Sequence, residues 1–421
     1  MRVRLAYARE GLEVDLPDEN TTVVEPLYVE GLPDEAAALC EALRRPLGLP
    51  PLRELVRPDD TVVIVFSDIT RPTPNDRMLP VLLAELAHVP KENITLLNAL
   101  GLHRHNTKDE LVRMLGEEVV ASYRVVNHEA FDKSQLVYLG QTSSGGEAWV
   151  DREYVRASVR ILTGFVEPHL FAGFSGGAKA ILPGVAGADS VMHVHNAEMI
   201  GSPNSNYGII DGNPIFAEMR EVGAMAEPTF ILNVTLNKQR RITGVFAGAL
   251  VAAQDAAIEF VRNTAMRPVE RPFDVVLTTN NYYPADLDLY QSVKGMKAAA
   301  LVTKPGGAIV IAAGCEEGVG HGPFGDIMKM RPTPQGILEM IYEPGFSMYD
   351  QWEAQDLCKI LVKHRVFLYT DGLTEEQATA AHMIWTRDVG ATVRRLLAEY
   401  GPGATLGVLP EGPQTIPYVK K

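Results

Sequence analysis

The side chains best suited to chemistry stand just behind apolar runs. Asp68 and Arg71 lie in Ser67-Asp68-Ile69-Thr70-Arg71-Pro72-Thr73-Pro74, and His103 and Arg104 in Gly101-Leu102-His103-Arg104-His105. His169 and Lys179 bracket Glu167-Pro168-His169-Leu170-Phe171-Ala172-Gly173-Phe174-Ser175-Gly176-Gly177-Ala178-Lys179. Imidazole takes and returns protons near neutral pH. A guanidinium fork suits a substrate carboxylate or alkoxide. A lysine ending a glycine turn offers a cation or a nucleophilic amine. Such a turn after a strand can present N–H groups to a phosphate. Lys179 follows Ala178 and precedes Ala180, so the stretch is neither a Walker A loop nor G-x-G-x-x-G. Each residue also has a plainer reading: a surface turn with a solvated lysine, an Asp68–Arg71 pair fastening a loop, histidines that bond within the fold. Met192-His193-Val194-His195-Asn196 falls on a helix-compatible segment, where His193 and His195 point in different directions and only one could face a site. Cys315-Glu316-Glu317, flanked by Gly314, Gly318 and Gly320, fits an exposed loop better than a metal site.

The elements that must position these groups follow from periodicity. Thr61–Phe66, Ile94–Leu100 and Val159–Val166 are continuous apolar runs, the mark of strands buried on both faces. Each ends in one of the stretches above. Ligands of open α/β sheets sit at the carboxyl ends of the strands, so the three loops are expected to share one crevice. Asp34 should cap a helix over 36–45, and a helix should carry Met78, Leu79, Leu82, Leu83 and Leu86 on one face. Thr107 with Glu110 reads as a capping box. Thr229–Asn237 and Arg241–Phe246 suggest an antiparallel pair, and Gly248–Ala265 a helix. Arg267–Pro272, with two prolines and three charges, reads as a linker. A second α/β unit starts with the strand Phe273–Thr279. Tyr290-Gln291-Ser292-Val293-Lys294-Gly295 opens a helix that puts Gln291 and Lys294 on one face. The expected domains are therefore 1–266 and 273–421, with the C-terminal tail a candidate to pack back on the first. His88 and His364 are expected at the surface, and His128 and His382 lack neighbours that suggest chemistry.

Composition sets the bounds. The chain has 421 residues, 46% of them hydrophobic, enough for two domains with substantial cores. Lys+Arg 39 against Asp+Glu 53 gives a net charge of −14 and argues against a nucleic-acid binder. Three scattered cysteines, Cys40, Cys315 and Cys358, make no disulfide framework and fit a reducing cytoplasm. No apolar stretch reaches the length of a membrane span, so no membrane partner is expected.

Taken together, S-D-I-T-R-P-T-P (67–74), G-L-H-R (101–104), E-P-H-L-F-A-G-F-S-G-G-A-K (167–179), L-P-G (182–184) with His195-Asn196 downstream, and Y-Q-S-V-K-G (290–295) resemble the nickel-dependent lactate racemase family. The resemblance implies two α/β domains with the active site in the cleft between them. It implies a racemase or epimerase of a 2-hydroxy acid, working by reversible hydride transfer from substrate C2 to a nickel-pincer nucleotide. That cofactor is a pyridinium mononucleotide whose thioamide and thiocarboxylate clasp nickel, with Lys179 as the thioamide link and His195 as the protein's nickel ligand. On the same ground His103 and His169 are two opposed acid/base groups. Arg71, Asp68, Gln291 and Lys294 position substrate with Tyr290 nearby, and Gly173, Ser175, Gly176 and Gly177 cradle the cofactor phosphate. Cofactor-biosynthesis enzymes would be needed for maturation. The sequence departs from the lactate enzymes at Asn280–Leu289, which leaves the substrate's side chain open. The rival readings are an oxidoreductase that releases the 2-oxo acid and a non-catalytic nickel or nucleotide carrier.

Overall fold

The structure, a computed structural model, describes residues 1–320 and 322–420. It divides into two compact α/β units, each discontinuous in sequence. One comprises Tyr28–Val194 and Ile209–Asn263; the other comprises Met1–Leu27, His195–Gly208 and Thr264–Lys421. They are called here the anchor unit and the Lys294 unit. The division expected at 267–272 is thus corrected. The first 27 residues and the excursion His195–Gly208 belong with the C-terminal half.

The anchor unit is built on a six-stranded sheet in the order Ile242–Gly248, Phe230–Leu236, Val159–Phe165, Val62–Ser67, Ile94–Ala99, Arg124–Asn127. All neighbours are parallel except Phe230–Leu236 with Ile242–Gly248, the antiparallel pair expected from sequence. Numbered along the chain, this order reads 6-5-4-1-2-3, the doubly wound arrangement of mononucleotide-binding halves. From Val62–Ser67 the chain proceeds to one side of the sheet; from Val159–Phe165 it proceeds to the other. The carboxyl ends of these two adjacent strands are the switch point, where the sheet opens a crevice. Asp34 accepts from the Ala37 N–H at the start of helix Glu35–Arg44, and Thr107 and Glu110 close their capping box. Met78, Leu79, Leu82, Leu83 and Leu86 are all buried in the unit's core beneath this sheet.

The Lys294 unit holds a second sheet, all parallel, in the order Ile384–Thr386, Arg365–Tyr369, Thr303–Ala312, Phe273–Thr279, Leu406–Leu409, Thr21–Val23. Its switch point lies between Phe273–Thr279 and Leu406–Leu409. One face packs on helices Leu289–Ala300, Pro334–Ile341 and Gln351–Leu361. The other packs on the hairpin Arg2–Leu5 with Leu12–Asp15 and on helix Val389–Tyr400. The expected linker 267–272 is largely a strand: Met266–Val269 pairs in parallel with Ile416–Val419. Pro268 is tolerated because this two-stranded ribbon leaves its nitrogen outside the ladder. The C-terminal tail therefore packs on the Lys294 unit, not on the first domain. His364, expected at the surface, is buried, and desolvation holds its pKa below the ordinary histidine value. His128 is buried too, with Asp151 Oδ2 at 2.7 Å and the Ala186 carbonyl at 2.9 Å from its two ring nitrogens. It pins the end of Arg124–Asn127 to the strand Glu147–Asp151. No helix among the described residues is long and apolar enough to cross a membrane.

Candidate active site

In the anchor unit the three strands that end in the motif loops are direct neighbours: Val159–Phe165, Val62–Ser67, Ile94–Ala99. Asp68 and Arg71 follow the middle strand, His103 follows one neighbour and His169 the other. Parallel strands lie about 4.8 Å apart, so the two histidines hang from strand ends roughly 10 Å apart, with the Asp68–Arg71 loop in the middle.

Asp68 is 3% exposed. Its Oδ2 lies 2.8 Å from His103 Nδ1, and its Oδ1 accepts from the Thr70 hydroxyl at 2.8 Å. Burial alone would push this carboxyl up. The hydrogen bond and charge of His103, the Arg71 guanidinium and Thr70 outweigh it, and Asp68 titrates below the ordinary carboxylate value. An ionised Asp68 can only accept, so Nδ1 of His103 carries the proton and Nε2 presents a lone pair. Asp68, expected to bind substrate, is thus buried with each oxygen bonded once inside the protein. It does not form the Asp68–Arg71 fastening pair, because Arg71 makes no side-chain hydrogen bond among the described residues. Only its backbone N–H reaches the Asp68 carbonyl, at 3.1 Å.

The His103 loop is braced on two sides. Asn106 Oδ1 accepts from Asn98 at 2.9 Å and from the Ile69 N–H at 3.3 Å, while Asn127 donates to the Asn106 carbonyl at 3.0 Å. Arg104 is spent on a two-pronged bond to Glu110, at 2.8 and 2.7 Å, which holds that carboxyl at about 2. On the other side the Gly101 N–H donates to the Gly184 carbonyl at 2.9 Å, and the Gly184 N–H donates to the Lys179 carbonyl at 3.2 Å. The Leu182-Pro183-Gly184 turn therefore couples the His103 loop to the lysine loop.

His169 lies in a two-residue ribbon, Pro168–His169 against Gly173–Phe174. Its Nδ1 accepts from the Ala172 N–H at 3.3 Å, and its ring meets Phe171 edge-on at 4.7 Å. In the neutral ring the proton then sits on Nε2, the reverse of His103. Lys179 is half-buried in the 3-10 turn Gly177–Ala180.

The glycines of this stretch answer to packing. Gly176 and Gly177 have φ of +76° and +54°, a region that favours glycine. A Cβ on Gly177 would lie 2.2 Å from Gln254 Cδ, and one on Gly173 would lie 2.3 Å from the Ile209 carbonyl oxygen. The Gly177 N–H already donates to Asn233 Oδ1 at 2.7 Å. The Ser175 hydroxyl donates to the Phe165 carbonyl at 3.0 Å and accepts from the Glu167 N–H at 2.9 Å. Two of the expected phosphate donors are thus engaged within the fold, where they set the shape of the loop. Beside them Asn233 Nδ2 and Gln254 Oε1 are buried without a partner among the described residues.

His195, 8% exposed, belongs to the Lys294 unit, whereas His193 sits on helix Ala188–Val194 of the anchor unit. The two do not act as a pair. His193 instead meets the Ser144 hydroxyl at 2.7 Å, and Ser144 donates to Glu218. The His195 ring packs on Trp352 at 4.6 Å between centroids, and the indole N–H donates to the Tyr290 hydroxyl at 3.0 Å. Burial, then the Glu353 and Asp350 charges, push the Tyr290 phenol well above its ordinary value, so it stays protonated. Lys294 donates to Gln291 Oε1, as their shared helix face predicts. Gly295 closes the motif because a Cβ there would lie 2.0 Å from the Thr279 carbonyl oxygen; its absence seats the helix on the strand end at the switch point. Asp288 caps that helix, accepting from the Gln291 N–H at 2.7 Å. Cys315 is fully buried, and desolvation pushes its thiol up to about 12; Glu316 pairs with Arg9 at 2.9 Å. His321 lies outside the described residues.

Sequence reasoning missed Trp352 and Glu353. Glu353 is 2% exposed and its Oε2 has no partner among the described residues. Burial pushes it up to about 8 against the pull of Lys294. The folded chain therefore holds a proton that the unfolded chain, titrating near 4.5, releases. That contribution is complete below pH 4.5 and is lost as pH rises through about 8. Glu353→Gln should flatten the fall in Tm between pH 6 and 9. Parallel Tm profiles for the two proteins would mean that Glu353 does not titrate in this window.

Two doubly wound units with imidazoles, a lysine and an arginine at strand ends have the construction of an α/β enzyme. Comparison with known proteins narrows this. Residues 7–208 match the lactate racemase N-terminal domain and 269–416 the lactate racemase C-terminal domain. The lactate racemase of Thermoanaerobacterium thermosaccharolyticum is 34% identical over 421 residues, 98% of each chain. That of Lactiplantibacillus plantarum is 34% identical over 416 residues, 97% of this chain and 98% of its own. The structure of the former's apoprotein superposes with a TM-score of 0.94 at 33% identity, covering 100% of both chains. A Thermotoga maritima protein, 18% identical with a TM-score of 0.70 over 93% of this chain and 100% of its own, shares the fold. The chain belongs to the lactate racemase family, a family of isomerases.

Proposed function

We propose that the protein racemises or epimerises a 2-hydroxy acid of the lactate type, in the cytoplasm, with a nickel-pincer nucleotide held covalently by Lys179. The residues fit that group. No three His, Cys, Asp or Glu converge on a metal site among the described residues. His195 would hold the nickel, and the cofactor would supply the donors that the chain does not. Lys179, a half-buried residue, would form the thioamide link. Asn233 Nδ2, without a partner among the described residues, would be a donor for the nucleotide portion. When bound, the group supplies the acceptor and donor of hydride at the substrate's C2.

The chain's own residues are left with the hydroxyl proton. Removing a proton from C2 would build a carbanion beside a carboxylate; with hydride chemistry only the O–H must be deprotonated. His103 presents an unprotonated Nε2, held so by Asp68 at Nδ1, and takes that proton. His169, as the imidazolium, would return a proton from Nε2 to the carbonyl oxygen from the other side and be left neutral, the long 3.3 Å contact from the Ala172 N–H giving way while Nδ1 carries its proton. Reversal exchanges the roles, so the pair serves either enantiomer. Arg71 holds the carboxylate, and Lys294, steadied by Gln291, stabilises the developing oxyanion.

The observation that carries this reading is the placement of two imidazoles behind strands that flank the Asp68–Arg71 loop. His103→Gln and His169→Gln, each made alone in protein matured with the cofactor-making enzymes, should keep nickel and the Lys179 adduct yet lose racemisation by at least about 10³-fold. Turnover surviving either change sinks the two-base scheme. Accumulation of free 2-oxo acid without loss of optical purity points instead to the oxidoreductase.

A further inference from the structure

The chain leaves the anchor unit after Val194, gives His195–Gly208 to the other unit, and returns at Ile209. One face of helix Gln351–Leu361 receives this excursion. Trp352, Gln355, Asp356 and Lys359 recur at the i, i+3, i+4, i+7 spacing of a single helical stripe. Trp352 packs on the His195 ring. Gln355 donates to the Ala197 carbonyl at 2.7 Å, and Lys359 donates to the Ile200 carbonyl at 2.9 Å. Asp356, 1% exposed, pairs with Lys359 at 3.4 Å and with the buried Lys297, which itself donates to the Ser205 carbonyl at 3.3 Å. At the far end the Tyr207 hydroxyl donates to the Lys294 carbonyl at 3.2 Å. The excursion is also stiff within itself. Asn196 caps Met199 at 2.9 Å, and the Ser205 hydroxyl donates to the Met199 carbonyl at 2.5 Å.

We propose that this polar stripe is a register-setting clamp for the His195 segment, with Gln355, Asp356, Lys359 and Lys297 as positioning residues. The inference rests on the reading of His195 as the nickel ligand. An apolar stripe would bury the excursion equally well, but it would let it slide, since hydrophobic contact is non-directional. A buried ion pair adds little net stability over an apolar replacement. Here it aims two lysines at two particular carbonyls, and each carbonyl exists at one register only. A slip of one residue would take Lys359 and the buried Lys297 off the Ile200 and Ser205 carbonyls and would turn His195 off Trp352. The same clamp ties the segment to the helix that bears Lys294 and Gln291, so ligand and substrate cation share one rigid support.

The test uses full-length protein made without the cofactor, so that it does not depend on metal binding. In Lys359→Met and in Gln355→Leu, amide hydrogen exchange over 197–205 should quicken at least about tenfold, while the strands Phe273–Thr279 and Thr303–Ala312 keep their protection. Lys359→Arg, which still reaches the Ile200 carbonyl, should restore slow exchange. Unchanged exchange over 197–205 overturns the clamp. So does equal acceleration across the whole sheet, which would make the residues merely structural. In matured protein Lys359→Met should retain the Lys179 adduct but lose nickel on dialysis. Retained nickel there also overturns the proposal. Altered exchange in a protein that never acquires nickel would leave the clamp standing and remove the proposed function.

Discussion

Lys179→Arg, matured alongside the cofactor-making enzymes, is expected to carry no mass adduct and no nickel, and to show no racemisation above background. Its Tm without cofactor should match the unaltered protein. Arginine keeps the positive charge and much of the length but is not a nucleophilic amine. The substitution therefore separates two roles that alanine would confuse. If Lys179 were a counter-ion for a phosphate, arginine would serve nearly as well, and cofactor would be retained. The turn around it should tolerate the change. The Lys179 N–H and carbonyl are bonded to Gly176 and Gly184 through the backbone, independently of the side chain. Intact-mass spectrometry and metal analysis decide the matter, and a cofactor-sized adduct on the arginine protein would refute the anchoring role.

The second large effect is expected at Asp68. Asp68→Asn should lower kcat about 10²- to 10⁴-fold with little change in KM, while leaving nickel and the Lys179 adduct in place. An asparagine amide can donate to His103 Nδ1 and so favour the tautomer with the proton on Nε2, where it blocks the base. The buried carboxylate has its oxygens bonded to His103 and Thr70, so the substitution should act through the imidazole. A rise in KM with kcat preserved would show instead that Asp68 touches substrate, the role expected from sequence. Fold loss is a separate outcome and would be visible as a lower Tm.

Much of this molecule was legible in its sequence because the signals are local. The β-branched runs at 61–66, 94–100, 159–166 and 273–279 became strands within a residue or two. The Thr107–Glu110 capping box formed, and the single helix face that buries Met78 through Leu86 was read correctly. The motif loops were placed at the carboxyl ends of parallel strands by the same reasoning, and those strands are neighbours in one sheet. What failed were inferences needing a partner far along the chain. Arg267–Pro272 carried the composition of a linker. It could not announce that Ile416–Val419 would pair with it. The glycines at 176 and 177 read as a phosphate cradle, and the stretch gave no sign that Asn233 and Gln254, more than fifty residues on, also leave room for nothing larger.

The sequence by itself determined which residue types stand behind which strands, and hence that imidazole, lysine and guanidinium gather at one edge of a doubly wound sheet. That follows from backbone propensity and burial, which act over a few residues. Only the tertiary structure decided which partners each group meets there. It set Asp68 against His103 Nδ1, where it fixes the tautomer. It gave His169 the opposite tautomer through the Ala172 N–H. It moved His195 into the other unit, against Trp352, and buried Glu353 beside Lys294. Protonation and orientation are set by partners within a few ångströms in space, and those partners lie anywhere in the chain.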